Sequence, residues 1–311
     1  MKENNFVSFV IYIRNCEEEI SPFLNQIYDQ IEANFKHFEF IFVNDASEDN
    51  SEPIIKKFFE SKKSNNSAVI IKMSSFHGKE LSMNAAIDKA IGDYVFQFDR
   101  IGIDFPIELL MKSYQECIYG KDIISVVPKK NDGFLAKIFY YIYNKASKNN
   151  NTIISREAFC VVSRRAINRV NSMVKSVPYR KAMYAQCGLP MGRIEYSSRQ
   201  KIKEKHSKLS FNNRVSIAND TLIIFTDIVS KITIYVSMIF LIFSLLVGIY
   251  VCVVYFGRIK PVEGWSPMMG FLSVAFFGLF FILSIIIKYL SLILNLIFIK
   301  ETYLIESVEK I

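Results

Sequence analysis

Two aspartates carry the first chemical signal in this chain of 311 residues. Asp45 sits in VNDASEDNS, residues 43–51, just after the mostly apolar run 38–43, and Asp99 directly follows the strand-like run 94–98. A carboxylate at the end of a strand-like run is free to face a ligand rather than the core. Asp45, with Asn44 beside it, can accept a hydrogen bond from the N3–H of a uracil-like base. Asp99 can hold a ribose hydroxyl or a divalent metal that screens a diphosphate. Asp45 alone can equally be a turn acid that caps a helix, and that alternative stays open. A turn this rich in acids is a poor binder of phosphate itself. Neither GxGxxG nor GxxxxGK[ST] occurs, which disfavours a dinucleotide fold and a P-loop.

Positioning these acids requires an alternation of strands and helices. Runs at 6–13, 38–43, 68–73, 94–98 and 123–127 read as strands, several of them continuously apolar, as when helices cover both faces of a parallel sheet. Between them, Ile20, Phe23, Leu24, Ile27, Ile31 and Phe35 recur at helical spacing, with Ser21 expected as N-cap and Pro22 at the first helical position. Further helices are expected from Ser51, over 78–91 and over 106–119. The expected fold is a doubly wound α/β domain over about the first two-thirds of the chain. In such sheets ligands sit at the carboxyl ends of the strands, where both aspartates fall.

The rest of the chain has another character. Hydrophobic residues make up 51% and charged ones 22%, the net charge is +8, and mean hydropathy is +0.21. The apolar excess is concentrated at 232–256 and 268–287, two runs without a charge. Each is long enough, at about 1.5 Å per residue, to cross a hydrocarbon layer roughly 30 Å thick. Two membrane spans are expected, with both chain ends on the side where the first domain is made. The five cysteines have no metal-ligand spacing and read as free thiols of a reducing compartment. No nucleic-acid partner is expected. Residues 212–230 read as an amphipathic helix at the interface. Basic residues between 193 and 214 fit the flank of a membrane helix, attracted to anionic lipid headgroups.

Three segments resemble the family 2 glycosyltransferases of the GT-A fold, and among them the polyprenyl-phosphate glycosyltransferases. FIFVNDASEDNS matches the family's strand and (N/D)DxSxD turn. MSSFHGKELSMNAAIDKAIGDYVFQFD matches the stretch leading into its metal strand. RQKIKEKHSKLSF matches its Arg and Ser-Lys junction before two C-terminal spans. The resemblance runs from about residue 7 to the C-terminus. Four positions, in three places, depart from it. Ile101 stands where the second acid of Asp-x-Asp belongs, Cys16 replaces a glutamate after Asn15, and Ala158 and Cys160 replace the Asp and Arg of a later turn.

The resemblance implies a cytoplasmic GT-A domain over 1–210, an interfacial helix over 211–230 and a membrane part over 231–311, in the cytoplasmic membrane. It implies inverting transfer from a nucleotide sugar, UDP-linked by the Asp45 reading, to a polyprenyl phosphate such as undecaprenyl phosphate, in cell-envelope glycan modification. The expected nucleotide-sugar contacts are Asn15, Asn44, Asp45, His77, Lys79 and Asp99. The expected catalytic carboxylates are Asp99, Asp104 and Glu157, with Mg²⁺ or Mn²⁺ on Asp99. Arg164, Arg199, His206, Ser207 and Lys208 are expected at the lipid phosphate or the diphosphate. Membrane lipids are expected partners; the oligomeric state stays open, though relatives with such anchors often associate through them into homo-oligomers. Two other readings stay open: a relative that binds without turnover, and a transferase with another acceptor.

Overall fold

The computed structural model describes residues 2–62, 67–129, 140, 141, 143, 155–173, 179–198, 235, 236, 238–240, 242, 243, 246, 249, 264–298 and 303–311. The chain divides into two compact units, one of residues 1–221 with 301–311 and one of residues 222–300.

The first unit is built on an eight-stranded sheet. Its strands are β1 (Glu3–Ile13), β2 (Phe35–Asn44), β3 (Ser67–Met73), β4 (Tyr94–Phe98), β5 (Ile123–Pro128), β6 (Phe159–Ser163), β7 (Met191–Tyr196) and β8 (Ile305–Lys310). Their spatial order is β7-β5-β6-β4-β1-β2-β3-β8. The pairs β1–β2, β2–β3, β1–β4 and β5–β7 are parallel, whereas β4–β6, β5–β6 and β3–β8 are antiparallel. The expected doubly wound, mostly parallel α/β sheet is therefore present. Val7, Phe9 and Ile11 alternate with Ser8 and Val10 along β1, and all five are fully buried. A central strand covered on both faces has to be apolar on both, which is why its sequence is a continuous run.

The helices are α1 (Glu17–Asn34), α2 (Ser51–Ser61), α3 (Lys79–Lys89), α4 (Leu109–Ile118), α5 (Arg164–Met173) and α6 (Arg180–Gln186). Helix α1 begins at Glu17, so Ser21 is not its N-cap and Pro22 lies inside it. Pro22 removes only a bond to the carbonyl of Glu18, near the helix start. Meanwhile Glu17, Glu18 and Glu19 occupy the first turn, where acids are favoured by the helix dipole. The core between helices and sheet is rich in phenylalanine. Phe9 stacks on Phe96 with ring centroids 4.6 Å apart, and Phe98 stacks on Phe159 at 5.2 Å. Gly92, before β4, permits a close crossing of β1. A Cβ there would lie 2.6 Å from both the amide nitrogen and the hydroxyl of Ser8.

The C-terminal residues depart from the expected boundaries. Residues 305–310, assigned by sequence to the membrane part, pair antiparallel with β3 and belong to the first unit. An exposed edge strand offers unpaired backbone groups, and β8 covers that edge.

In the second unit, helix α7 (Trp265–Phe298) is 34 residues long with Lys288 as its one charged residue. Residues 235–249 are helical where described. Phe243 packs against Phe271 with centroids 5.4 Å apart, and the ring of Phe240 lies against Gly278, leaving no room for a side chain there. Among the described residues, no helix presents a stretch long and apolar enough to cross a membrane. The spans expected at 232–256 and 268–287 are thus not established by the fold, and the helix expected at 211–230 lies outside the described residues.

Candidate active site

The two sequence-selected aspartates have different fates. Asp45 is fully buried at the end of β2. Its Oδ1 accepts from the backbone N–H of His77 at 2.8 Å, and its Oδ2 accepts from the N–H of Gly78 at 3.0 Å and from the hydroxyl of Tyr12 at 2.8 Å. These three donors tie β1, β2 and the loop into α3 together. Three of the carboxylate's roughly four acceptor sites are thus engaged within the fold, which gives Asp45 a structural role. Asn44 likewise turns inward: its Oδ1 accepts from Ser47 N–H at 2.9 Å and its Nδ2 donates to Glu52 at 3.0 Å.

The acidic turn serves two helix N-termini. Asp49 accepts from the Glu17 N–H at the start of α1 at 2.9 Å, and Glu17 accepts from the Asn50 N–H at the start of α2 at 3.0 Å. Asn15, at positive φ, accepts from Glu48 N–H at 2.8 Å. The Asp45 and Asp49 carboxylates thus meet backbone N–H groups at the starts of α3, α1 and α2, where helix dipoles are positive. Cys16, where the resembled family has a glutamate, is a buried thiol whose pKa burial pushes up to about 11.

His77 is also committed to the fold. Its Nε2 accepts from the Leu304 N–H at 3.1 Å, which leaves Nδ1 to donate to the Ser75 carbonyl at 2.7 Å. It ties the β3–α3 loop to the residue before β8.

Asp99 has a different setting. It extends β4 at its carboxyl end, beside the switch point where the sheet order turns from β1 to β4. The Arg180 guanidinium donates from Nη2 to Asp99 Oδ1 at 2.6 Å, and Lys181 Nζ lies 3.8 Å from Oδ2. Lys181 also lies 3.3 Å from Glu157, whose other oxygen accepts from the Ser125 hydroxyl at 2.7 Å. Arg180 is 3% exposed and further donates to Glu80 at 3.1 Å and to Gln97 at 3.0 Å. Burial by itself would raise the pKa of Asp99. The charges of Arg180, Lys181 and Lys79 outweigh it and hold the carboxyl well below the ordinary aspartate range. Lys181 is likewise held protonated: burial opposes its charge, and Glu157 and Asp99 prevail.

The antiparallel direction of β6 sorts two further residues. Gln97 pairs with Cys160 and Tyr94 with Ser163. The start of β6 therefore lies at the carboxyl end of β4, bringing in Glu157, while its end lies at the opposite edge. There Arg164 donates to the Ala90 carbonyl at 2.7 Å and to the Gly92 carbonyl at 2.8 Å. Arg164 is thus not at the phosphate site expected for it. Asp104 is also elsewhere engaged: it accepts from Arg100 and Tyr196, both at 2.8 Å, and from Ser198 at 3.2 Å. Arg199, His206, Ser207 and Lys208 lie outside the described residues.

Sequence reading selected Asp99, Lys79 and Glu157, which the fold gathers, and missed Glu80, Gln97, Arg180 and Lys181. The adjacent Arg-Lys pair in SVPYRKAM was the available signal, with nothing in the spacing to link it to Asp99.

These residues do not suit a divalent cation. Mg²⁺ and Mn²⁺ seek several hard oxygens. Here Asp99 is one carboxylate with a cation at each oxygen, and Ile101 supplies none. An ion bound to Asp99 would lie about 4 Å from a guanidinium or ammonium, a repulsion of roughly 8 kcal/mol at an effective dielectric of about 20. Among the described residues, no cluster of three or more His, Cys, Asp or Glu could hold a metal.

The mostly parallel sheet, with its crevice at the carboxyl ends of the strands, is a GT-A-like α/β fold. A model of the family Glycosyl transferase family 2 matches residues 8–100, which hold β1 to β4 and Asp99. That match covers a little under a third of the chain, and over it the chain is similar to the family 2 glycosyltransferases. It is 24% identical over 282 residues to a bactoprenol glucosyl transferase of Shigella phage SfX, covering 88% of each chain. It is 24% identical over 188 residues to an uncharacterised glycosyltransferase of Synechocystis, covering 58% of each. The chain thus spans a little over half of one relative and most of the other. Among solved structures, mannosyl-3-phosphoglycerate synthase from Rubrobacter xylanophilus superposes with a TM-score of 0.50 at 14% identity, over 70% of this chain and 74% of that one. At that identity the likeness concerns the fold alone.

Proposed function

We propose that this protein is a membrane-bound inverting glycosyltransferase that moves a sugar from a nucleotide sugar to a polyprenyl phosphate, in cell-envelope glycan modification. The observation that carries the reading is the similarity to a bactoprenol glucosyl transferase along 88% of the chain, together with one charged cluster at the carboxyl end of β4.

In this reading an oxygen of the acceptor phosphate attacks C1 of the sugar. The C1–O bond to the diphosphate breaks, and its electron pair leaves with the nucleoside diphosphate. The acceptor phosphate is already an anion at neutral pH, so it needs no strong general base. The main demand is compensation of the charge that develops on the leaving group. Asp99 orders the cationic side of the site, Lys79 stands near it, and Glu157 flanks the acceptor side. Asn15, Asn44, Asp45 and His77 shape the rim through the backbone they hold. Arg199, His206, Ser207 and Lys208 are proposed to meet the lipid phosphate.

The membrane part of the reading rests on α7 and its neighbours. Read from its sequence, α7 is almost uncharged, and Leu279, Phe280, Ile286 and Ile287 are more than half exposed. Phe240 and Phe243 pack on it. The chain leaves the first unit near 221 and returns to it at 301. A segment tethered at both ends to one globular unit can cross a bilayer only an even number of times, which fits a helical hairpin in the cytoplasmic membrane.

The test is transfer of label from a panel of labelled nucleotide sugars to undecaprenyl phosphate in membranes containing the protein, beside an Asp99→Ala variant. Label in the lipid fraction, lost in the variant, supports the reading. Nucleotide binding without transfer to any acceptor would make the protein a binder, and label on a water-soluble acceptor would change the acceptor class.

A further inference from the structure

The cluster around Asp99 combines features that a metal-dependent donor site would not. Three carboxylates, Glu80, Asp99 and Glu157, face Arg180 and Lys181 at 2.6–3.8 Å. Lys79 adds a third positive charge felt by Asp99. The formal charges cancel, so the cluster has no surplus of negative charge to draw in a divalent ion. The position that would carry a second ligand is Ile101, a buried apolar side chain 8% exposed.

The two cations of α6 are held differently. Arg180 is locked: its guanidinium bonds Glu80, Gln97 and Asp99, and its planar fork has little freedom left. Lys181 is held loosely. Its ion-pair distances of 3.3 and 3.8 Å exceed the ~2.7–2.9 Å of a charge-assisted hydrogen bond. It has a flexible stem and three donors, and its side chain is 12% exposed where that of Arg180 is 4%.

We propose that the Lys181 ammonium, poised by Asp99 and Glu157, takes the place of a divalent cation against the diphosphate of the donor, so that donor binding by this protein does not require metal. The proposal rests on the nucleotide-sugar reading above. Arg180 acts as the positioning residue: it neutralises Asp99 and fixes it on β4, leaving Lys181 to swing from two carboxylates to the phosphate oxygens. When the C1–O bond breaks, the electron pair stays on the diphosphate oxygen, and the ammonium balances that added charge without a proton having to move. Asp99 in this arrangement orients a cation and does not itself ligate a metal.

The experiment uses the full chain and calorimetric binding of UDP, GDP and the matching monophosphates, in excess chelator and then in excess Mg²⁺ or Mn²⁺. The expected result is diphosphate affinity that is the same with chelator and with metal. Lys181→Met is expected to weaken diphosphate binding by about tenfold, with monophosphate binding little changed, because one charge-assisted contact to the outer phosphate is lost. Lys181→Arg is expected to restore most of it. Diphosphate binding that appears only with metal overturns the proposal on the unmodified protein, whether or not either variant folds. Unchanged preference for diphosphate over monophosphate in a folded Lys181→Met overturns it as well. If neither nucleoside diphosphate binds under either condition, the nucleotide-sugar reading itself fails, and this proposal with it.

Discussion

Arg180 Nη2 donates to Asp99 Oδ1 at 2.6 Å, joining two residues 81 positions apart in the chain. The same guanidinium bonds Glu80, 100 positions away. One side chain from the short helix α6 thus ties α3 and the end of β4 into a single unit. Charges this deeply buried stabilise only while all are paired, since removing one leaves the others desolvated and alone. Arg180→Met is therefore expected to cost about 3–5 kcal/mol of stability, read by denaturant unfolding. A loss below about 1 kcal/mol would show that the cluster does not hold the domain together.

The same pair sets a pH dependence of defined sign. Asp99 in the folded protein titrates below its ordinary value of 3.8. A carboxylate of this kind stabilises the fold fully above its unfolded-state pKa, and the contribution is lost as pH falls through the lower folded-state value. The difference in melting temperature between the wild type and Asp99→Asn is expected to be constant from neutral pH down to about pH 5 and to shrink in stronger acid. A difference that widens on acidification would reverse the assignment.

Asp45 separates two roles cleanly. As a base-binding residue it would lower nucleotide affinity on mutation and leave stability alone. Its burial and its three donors, the N–H groups of His77 and Gly78 and the Tyr12 hydroxyl, predict the reverse. The amide NH₂ of Asp45→Asn would face a backbone N–H, leaving a buried donor unsatisfied at a cost of about 1–3 kcal/mol. Thermal unfolding is the measurement, and an unchanged melting temperature would return Asp45 to the ligand.

What the sequence made legible follows from how local each signal is. Strands β1 to β5 were readable because burial on both faces forces continuous apolar runs, and Asp99 because a strand end fixes where the next residue points. The start of α1 was misplaced at Pro22 because a proline near a helix start is a strong local cue. The true start depends on Asp49 from another loop, which bonds the Glu17 N–H. Arg164 seemed a phosphate ligand because strand direction is invisible in a sequence: reversing β6 moves Arg164 from one edge of the sheet to the other. Arg180 and Lys181 were missed for a related reason, since their partners lie on β4, α3 and the segment before β6. Nothing in the spacing of an Arg-Lys dipeptide reports contacts across 81 to 100 residues.

Strand β8 gives the last test. Half of its six residues, IESVEK, are charged and five are exposed, leaving little apolar area of its own to bury. It is held chiefly by its ladder to β3, with Lys56–Glu309 at 2.7 Å and Lys72–Glu306 at 3.5 Å across the edge. Such half-exposed ion pairs contribute about 0–1 kcal/mol each, so the ladder, the Leu304 bonds to His77 and Ser74, and the packing of Ile311 against the core do most of the holding. Deleting residues 303–311 would expose the backbone of β3, a strand whose Ile70 and Ile71 are buried. An uncovered edge beside apolar residues pairs readily with other chains. The truncated protein is expected to show faster amide exchange at 69–73 and concentration-dependent association, both seen by hydrogen-exchange mass spectrometry and light scattering. The Asp99 cluster, several strands away in the order β4-β1-β2-β3, is expected to stay intact in the same variant. Unchanged exchange at 69–73 would mean that β8 does not protect the edge. Loss of protection at β4 as well would mean that the returning strand holds the whole sheet and not only its rim.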